Sequence, residues 1–120
     1  MNSIYNVYLG DIKIGTTRLE KADPSMGVVF GDVDITADGF GYNFLKQYLK
    51  AKGLEAADDN PDEQLISSYT IPDLEVIGKN GTIIEGVGNQ LDVYEGVEVI
   101  VTIEGITYPF YEEEFPHHCE

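Results

Sequence analysis

Basic residues are scarce in this chain. Seven Lys and Arg stand against 22 Asp and Glu, for a net charge of -15. Without a basic stripe there is nothing to neutralise phosphates, so direct binding to DNA or RNA is excluded. The same field repels anionic membrane surfaces. Cysteine is almost absent: Cys119 stands alone, which rules out a disulfide framework and agrees with a reducing compartment. No apolar run approaches the 18 or so residues of a membrane-spanning helix. The opening MNSIYNVYLGDIKIG has no basic segment ahead of an apolar stretch, so the expectation is a cytoplasmic protein with no secretory signal and no membrane contact. No G-x-S-x-G, P-loop or G-x-G-x-x-G occurs.

What remains is ordinary globular material with an unusual charge layout. The 120 residues fit one domain, 1–120, and 42% hydrophobic content is enough for a core. Residues 1–53 hold six acids and six bases, whereas 54–120 hold the other 16 acids against Lys79 alone. The excess charge therefore belongs to the back half of the sequence. It attracts cations or a basic partner.

Periodicity gives the elements. IYNVYL and IKIG flank Gly10-Asp11, a hairpin signal. ADPSMG reads as a turn, because Pro24 presets φ and Gly27 tolerates positive φ. GVVFGDVDIT (27–36) is a β-branched strand with a bend at Gly31. YNFLKQYLKAK (42–52) places Phe44, Leu45, Tyr48 and Leu49 at helical spacing, with Asp38 as cap and Gly53 at the C-terminal end. LEAADDNPDEQ (54–64) is expected to be a mobile acidic loop, with one helical turn within 62–68. Strands follow at a hairpin around Gly78–Gly81, at Leu91–Tyr94, at Val97–Ile103 and at Ile106–Tyr111. EEEFPHHCE, about 112–120, reads as a frayed acidic tail. The fold class is α+β: a mainly antiparallel sheet with one helix packed on one face. A partly closed barrel is the alternative.

Candidate chemistry is thin. DITADGFGYNFL sets Asp34, Thr36, Asp38 and Gly39 in the first positions of a calcium loop, but Leu45 stands where the bidentate Glu belongs. DDNPDE lacks the loop glycine. His117, His118 and Cys119 are adjacent, and neighbours in sequence do not converge on one tetrahedral metal. No metal, cofactor or catalytic residue is assigned. Asn80-Gly81-Thr82 matches a glycosylation acceptor and is read as turn chemistry. Two groupings remain. Tyr108, Phe110, Tyr111 and Phe115 lie among Glu112, Glu113 and Glu114, an aromatic cluster rimmed by acids that suits a protein interface. Asp58, Asp59, Asp62 and Glu63 add a charged rim. Separately, Glu20, Asp23 and Met26 are placed to line a small pocket at a sheet end.

One block carries a resemblance. Ile14-Gly15-x-Thr17-x-Leu19-Glu20-x-x-Asp23-Pro24-x-Met26-Gly27-Val28-x-x-Gly31 resembles a pattern in small, uncharacterised bacterial proteins, where it likewise follows an N-terminal hairpin. The resemblance covers residues 14–31. It implies a small bacterial domain and brings no activity, cofactor or catalytic residue.

These readings point to a binding protein rather than an enzyme. The expected partner is a basic protein, in concrete form a cationic toxin domain that an immunity protein would neutralise. A small-ligand or metal-binding module, or a minor enzyme, is the alternative, and a homo-oligomerisation domain is the third reading. Oligomeric state is left open.

Overall fold

In the computed structural model, which describes residues 3–119, the Gly10-Asp11 hairpin forms as the alternation requires. It joins β1 (Tyr5–Leu9) to β2 (Ile12–Thr17). Gly10 takes positive φ at the turn. Val7, Leu9 and Ile14 point into the core with no exposed surface. The chain then runs through β3 (Lys21–Asp23), a single 3-10 turn at Pro24–Met26, and β4 (Val28–Ile35). β2 and β3 lie along the same edge of β4, pairing with its second and first halves. Between them Leu19 takes positive φ and is fully buried.

Gly31 sits below this crossover. A Cβ there would lie 2.8 Å from Thr17 Oγ1 and 3.0 Å from Leu19 Cα. The residue serves close approach of backbone, whereas Gly27 does take the positive φ expected of it.

Helix α1 (Tyr42–Ala51) buries Tyr42, Leu45 and Leu49, and packs on β6 and β8. Its end is set by Gly53, at φ +70. There Gly53 N–H donates to Lys50 O and Leu54 N–H to Leu49 O, the paired closure that a left-handed glycine permits. At its start the capping acid is Glu95 and not Asp38: Tyr42 N–H donates to Glu95 Oε1 at 2.7 Å.

Residues 54–64 are not a mobile loop, and no helical turn follows at 62–68. Ala56–Asn60 forms β5, paired antiparallel with β6 (Leu65–Ser68) across a turn in which Gln64 takes positive φ. Cross-strand pairing makes β5 a strand despite a composition with little β propensity. β7 (Leu74–Gly78) opens the Gly78–Gly81 hairpin, whose second arm is reduced to a bridge at Ile83. β8 (Gly88–Tyr94) and β9 (Glu98–Glu104) form a long hairpin.

The expected strand at Ile106–Tyr111 and the frayed tail are both replaced by structure. Phe110–Glu114 is helix α2, followed by a 3-10 turn at Pro116–His118. Pro109 precedes the first helical residue, where its missing N–H costs nothing, and Glu112 and Glu113 suit the first turn. Tyr111 and Phe115 are buried in the core. Tyr111 Oη donates to Val28 O, Tyr108 Oη to Pro24 O, and His118 Nε2 to Leu19 O at 2.9 Å. Aromatic burial and these anchors explain why the segment does not fray. The last residue of the expected tail, Glu120, lies outside the described range.

All pairings are antiparallel, and the strand order is β5-β6-β8-β9-β4-β2-β1-β7 with β3 beside β4. This is the expected α+β class, a mainly antiparallel unclosed sheet with a helix packed on it. The sheet is strongly curled. β6 and β7 stand six strand spacings apart in that order, roughly 29 Å if flat. The chain from Ser68 to Leu74 reaches only about 20 Å. Helix α1 spans the remaining gap. Lys46 pairs with Asp59 of β5 at 3.2 Å, while Tyr48 and Lys52 reach Asp73, the residue before β7.

If the segment after Pro109 is part of the core, Phe115→Ala lowers unfolding stability by about 3–5 kcal/mol in chemical denaturation. A frayed tail would give no measurable change.

Candidate functional site

The aromatic–acidic segment divides into two populations. Tyr111 and Phe115 are core residues, with 0% and 1% exposure, and cannot meet a partner. Tyr108 is half exposed and stacks on Tyr111, their ring centroids 5.2 Å apart. Phe110 is half-buried against the core. Glu112 and Glu113 are exposed, but Glu114 accepts a hydrogen bond from Tyr5 Oη at 2.7 Å. Burial, and then that carboxylate, push the Tyr5 hydroxyl well above the usual phenol range. Burial likewise raises Tyr111, to about 12, helped by Tyr108, Cys119 and Asp23. These are the properties of a packed closure, so Tyr111 and Phe115, expected at an interface, belong to the core.

The acidic hairpin is exposed, as a rim should be, but its four acids do different things. Asp59 faces α1. It accepts a hydrogen bond from Tyr42 Oη and pairs with Lys46. The Tyr42 bond first, and Lys46 next, hold its carboxyl below the ordinary range. Asp58 pairs in register with Ser67 on the opposite face. Asp62 and Glu63 lie in the turn.

Glu20, Asp23 and Met26 do not converge on a pocket. Glu20 Oε2 accepts the Asp32 N–H at 2.9 Å, Asp23 Oδ1 accepts the Ser25 hydroxyl, and Met26 is 67% exposed. None of the three lines the clefts described for this fold. The apolar plug of this turn is Leu19, which is fully buried.

What the fold assembles instead is an acid-only wing. The five adjacent strands β5-β6-β8-β9-β4 contain no Lys or Arg, and neither do the turns of their two hairpins. Asp58, Asp59, Asp62 and Glu63 come from the first hairpin, Asp92, Glu95, Glu98 and Glu104 from the second. β4 adds Asp32 and Asp34. The strand register arranges several of them in a line. Asp58 lies opposite Ser67, Ser67 opposite Asp92, Asp92 opposite Ile100, and Ile100 opposite Asp32. Because Leu91, Val93, Val99, Val101, Val29 and Val33 point into the core, this row occupies the outer face. Its carboxylates recur every second strand, roughly 10 Å apart. The next row sets Leu65 opposite Tyr94 and Tyr94 opposite Glu98.

Beyond the ends of β4 and β8, beside the β8–β9 turn, is a cleft of about 240 Å³. It is lined by Val33, Val93 and Val99, which point to the core side of the sheet, and by Ile35, Phe40, Tyr94, Glu95, Val97 and Glu98. Val97 is 79% exposed. Glu95 is held in place by its bond to the Tyr42 amide, and Gly41 leaves it room: a Cβ there would lie within 3.1 Å of both carboxylate oxygens. The alternation in VEVIVTIE shows which residues of β9 face outward. Nothing in the sequence shows that β4 is its neighbour.

Among the described residues no group of three His, Cys, Asp or Glu is arranged to hold a metal ion, and no helix is long and apolar enough to cross a membrane. No family model, curated protein or solved structure matches the chain.

The raised phenols make stability fall in alkali. Tyr111 is neutral in the folded state up to about pH 12, whereas in the unfolded chain it ionises near 10. Its contribution is complete below pH 10 and is lost as pH rises through about 12. Thermal melts between pH 9 and 12 should show this decline. Tyr111→Phe should lessen it, leaving the parts due to Tyr5, Tyr48 and Tyr108, while costing about 1 kcal/mol at neutral pH for the lost bond to Val28.

Proposed function

We propose that this protein is a binding module for a basic protein partner, and that the docking surface is the outer face of β5-β6-β8-β9-β4. The observation that carries this reading is the in-register row Asp58, Asp92 and Asp32 on five strands without a single base, bordered by Lys21 of β3, which lies opposite Phe30. Such a face steers a cation-rich surface into contact and repels acidic competitors. Ile100, Leu65 and Tyr94 lie between the carboxylates on the same face, so apolar contact accompanies the charge. A cationic toxin domain, neutralised by occupation of its basic surface, is the concrete partner this chemistry suits. Glu112 and Glu113 on α2, and Glu75 and Glu85 near β7, lie outside the wing and contribute to net charge alone.

The distinction gives a clean experiment. A nona-arginine peptide is the probe, titrated calorimetrically at low and at 0.3 M salt. Replacing Asp32, Asp58 and Asp92 with Asn should weaken binding by about tenfold or more. Replacing Glu75, Glu85 and Glu112 with Gln removes the same charge and should weaken it much less. Equal losses for the two triple variants would mean that net charge, and not this face, governs binding.

A further inference from the structure

We infer that Asn80 is a site of spontaneous covalent modification, at which the side-chain amide is lost and a carboxylate takes its place. The inference is independent of the proposed function. Asn-Gly occurs once in the sequence, at Asn80-Gly81. Both residues are exposed, in the turn that follows β7. The reaction needs an amide carbon open to attack, a nucleophile one residue further on, and a free leaving group. Asn80 Oδ1 accepts the Thr82 N–H at 3.2 Å, so a donor already faces the oxygen on which charge develops when that carbon is attacked. Gly81 has no side chain to shield its nitrogen, and a Cβ there would meet nothing within 4 Å. The side-chain nitrogen of Asn80 makes no hydrogen bond among the described residues. One restraint opposes the attack: Gly81 N–H donates to Gly78 O at 3.0 Å. That bond closes an exposed turn whose second arm is a bridge at Ile83, so it opens locally without disturbing the core.

Water is the only co-reactant. Gly81 N gives its proton to solvent and attacks Asn80 Cγ. The N–Cγ bond forms, the Cγ–Nδ2 bond breaks, and the nitrogen departs as ammonia with a proton from solvent. Water then opens the cyclic imide. Cleavage at Cγ leaves aspartate, and cleavage at the main-chain carbonyl leaves isoaspartate, whose backbone runs through the side chain. Either product sets a negative charge beside Lys79, the sole base of residues 54–120, which makes no ion pair among the described residues. Isoaspartate also lengthens the turn, at the expense of the Gly78 N–H bond to Thr82 O. The other described asparagines are not placed to react. Asn60 precedes Pro61, which has no N–H to lose. Asn6 lies in β1, between two paired strands. Asn89 commits both ends of its amide to Ile71. Asn43 lies in α1 ahead of Phe44, whose side chain crowds the attacking nitrogen.

The test incubates the whole folded protein in mildly alkaline water enriched in heavy oxygen, and follows it by peptide mass spectrometry and isoelectric focusing. Asn80 should convert before any other described asparagine. Solvent oxygen should appear in the new carboxylate, aspartate and isoaspartate should both be present, and the protein should gain a single negative charge. The rate should rise with pH. Asn80→Gln keeps an amide and the turn glycine but must close a larger ring, so it should lose the charge shift. Gly81→Ala should slow it. Thr82→Ala destroys the glycosylation acceptor and should leave the conversion running. Conversion of Asn80 in urea but not in the folded protein would mean that the turn protects it, and would overturn the inference. A charge shift that persists in Asn80→Gln would place the reaction elsewhere and overturn it as well.

Discussion

The shape of this protein depends on one short connection. Residues 69–73 carry the chain from β6, next to one edge of the sheet, to β7, at the other. So short a link forces the sheet to curl until its borders approach each other. Asn89 holds that link in place, accepting the Ile71 N–H and donating to Ile71 O. Curling leaves one gap, which α1 covers, and one interior, which the valines, leucines and isoleucines of seven strands fill. The helix is tied to both borders through Asp59 and Asp73, so its position follows from the curl.

The same topology rearranges the charge. Along the sequence, acid accumulates after residue 53. In space, the division follows sheet order. β4 belongs to the balanced front half of the chain, yet it lies beside β9 and brings Asp32 and Asp34 into the base-free wing. Conversely, Glu112 and Glu113, from the acidic back half, sit on α2, which is no part of those five strands. A field that looks like a property of the polypeptide is a property of which strands are neighbours.

The legible parts were those decided locally. The first hairpin, strand β4, helix α1 with its glycine end, and the β8–β9 pair follow from alternation, helical spacing and turn residues. So does the α+β class. What was not legible was decided by distant partners. AADDN has no apolar alternation, and becomes a strand because β6 offers it an edge. TYPFYEEEF alternates aromatics around a proline and resembles a strand, but proline followed by acids is also how a helix begins. The core's need for Tyr111 and Phe115 decides between the two. Two aromatics of the expected interface, Tyr111 and Phe115, are core for the same reason: aromatics beside acids describe a packed amphipathic segment as well as a binding surface. The outer acidic row could not be read at all, since its members lie on strands that pair residues as distant in sequence as Asp32 and Ile100.

Strand β5 is a bare sheet margin, with unsatisfied peptide groups facing outward, and such margins recruit further strands. Asp58 and Asp59 sit along it. Two copies approaching margin to margin would bring like charges within about 5 Å, well inside the roughly 8 Å over which physiological salt leaves charges felt. The border therefore resists pairing with a second copy of itself. Of the two carboxylates, Asp58 is the one that supplies this protection, because Lys46 pairs with Asp59 from the helix side.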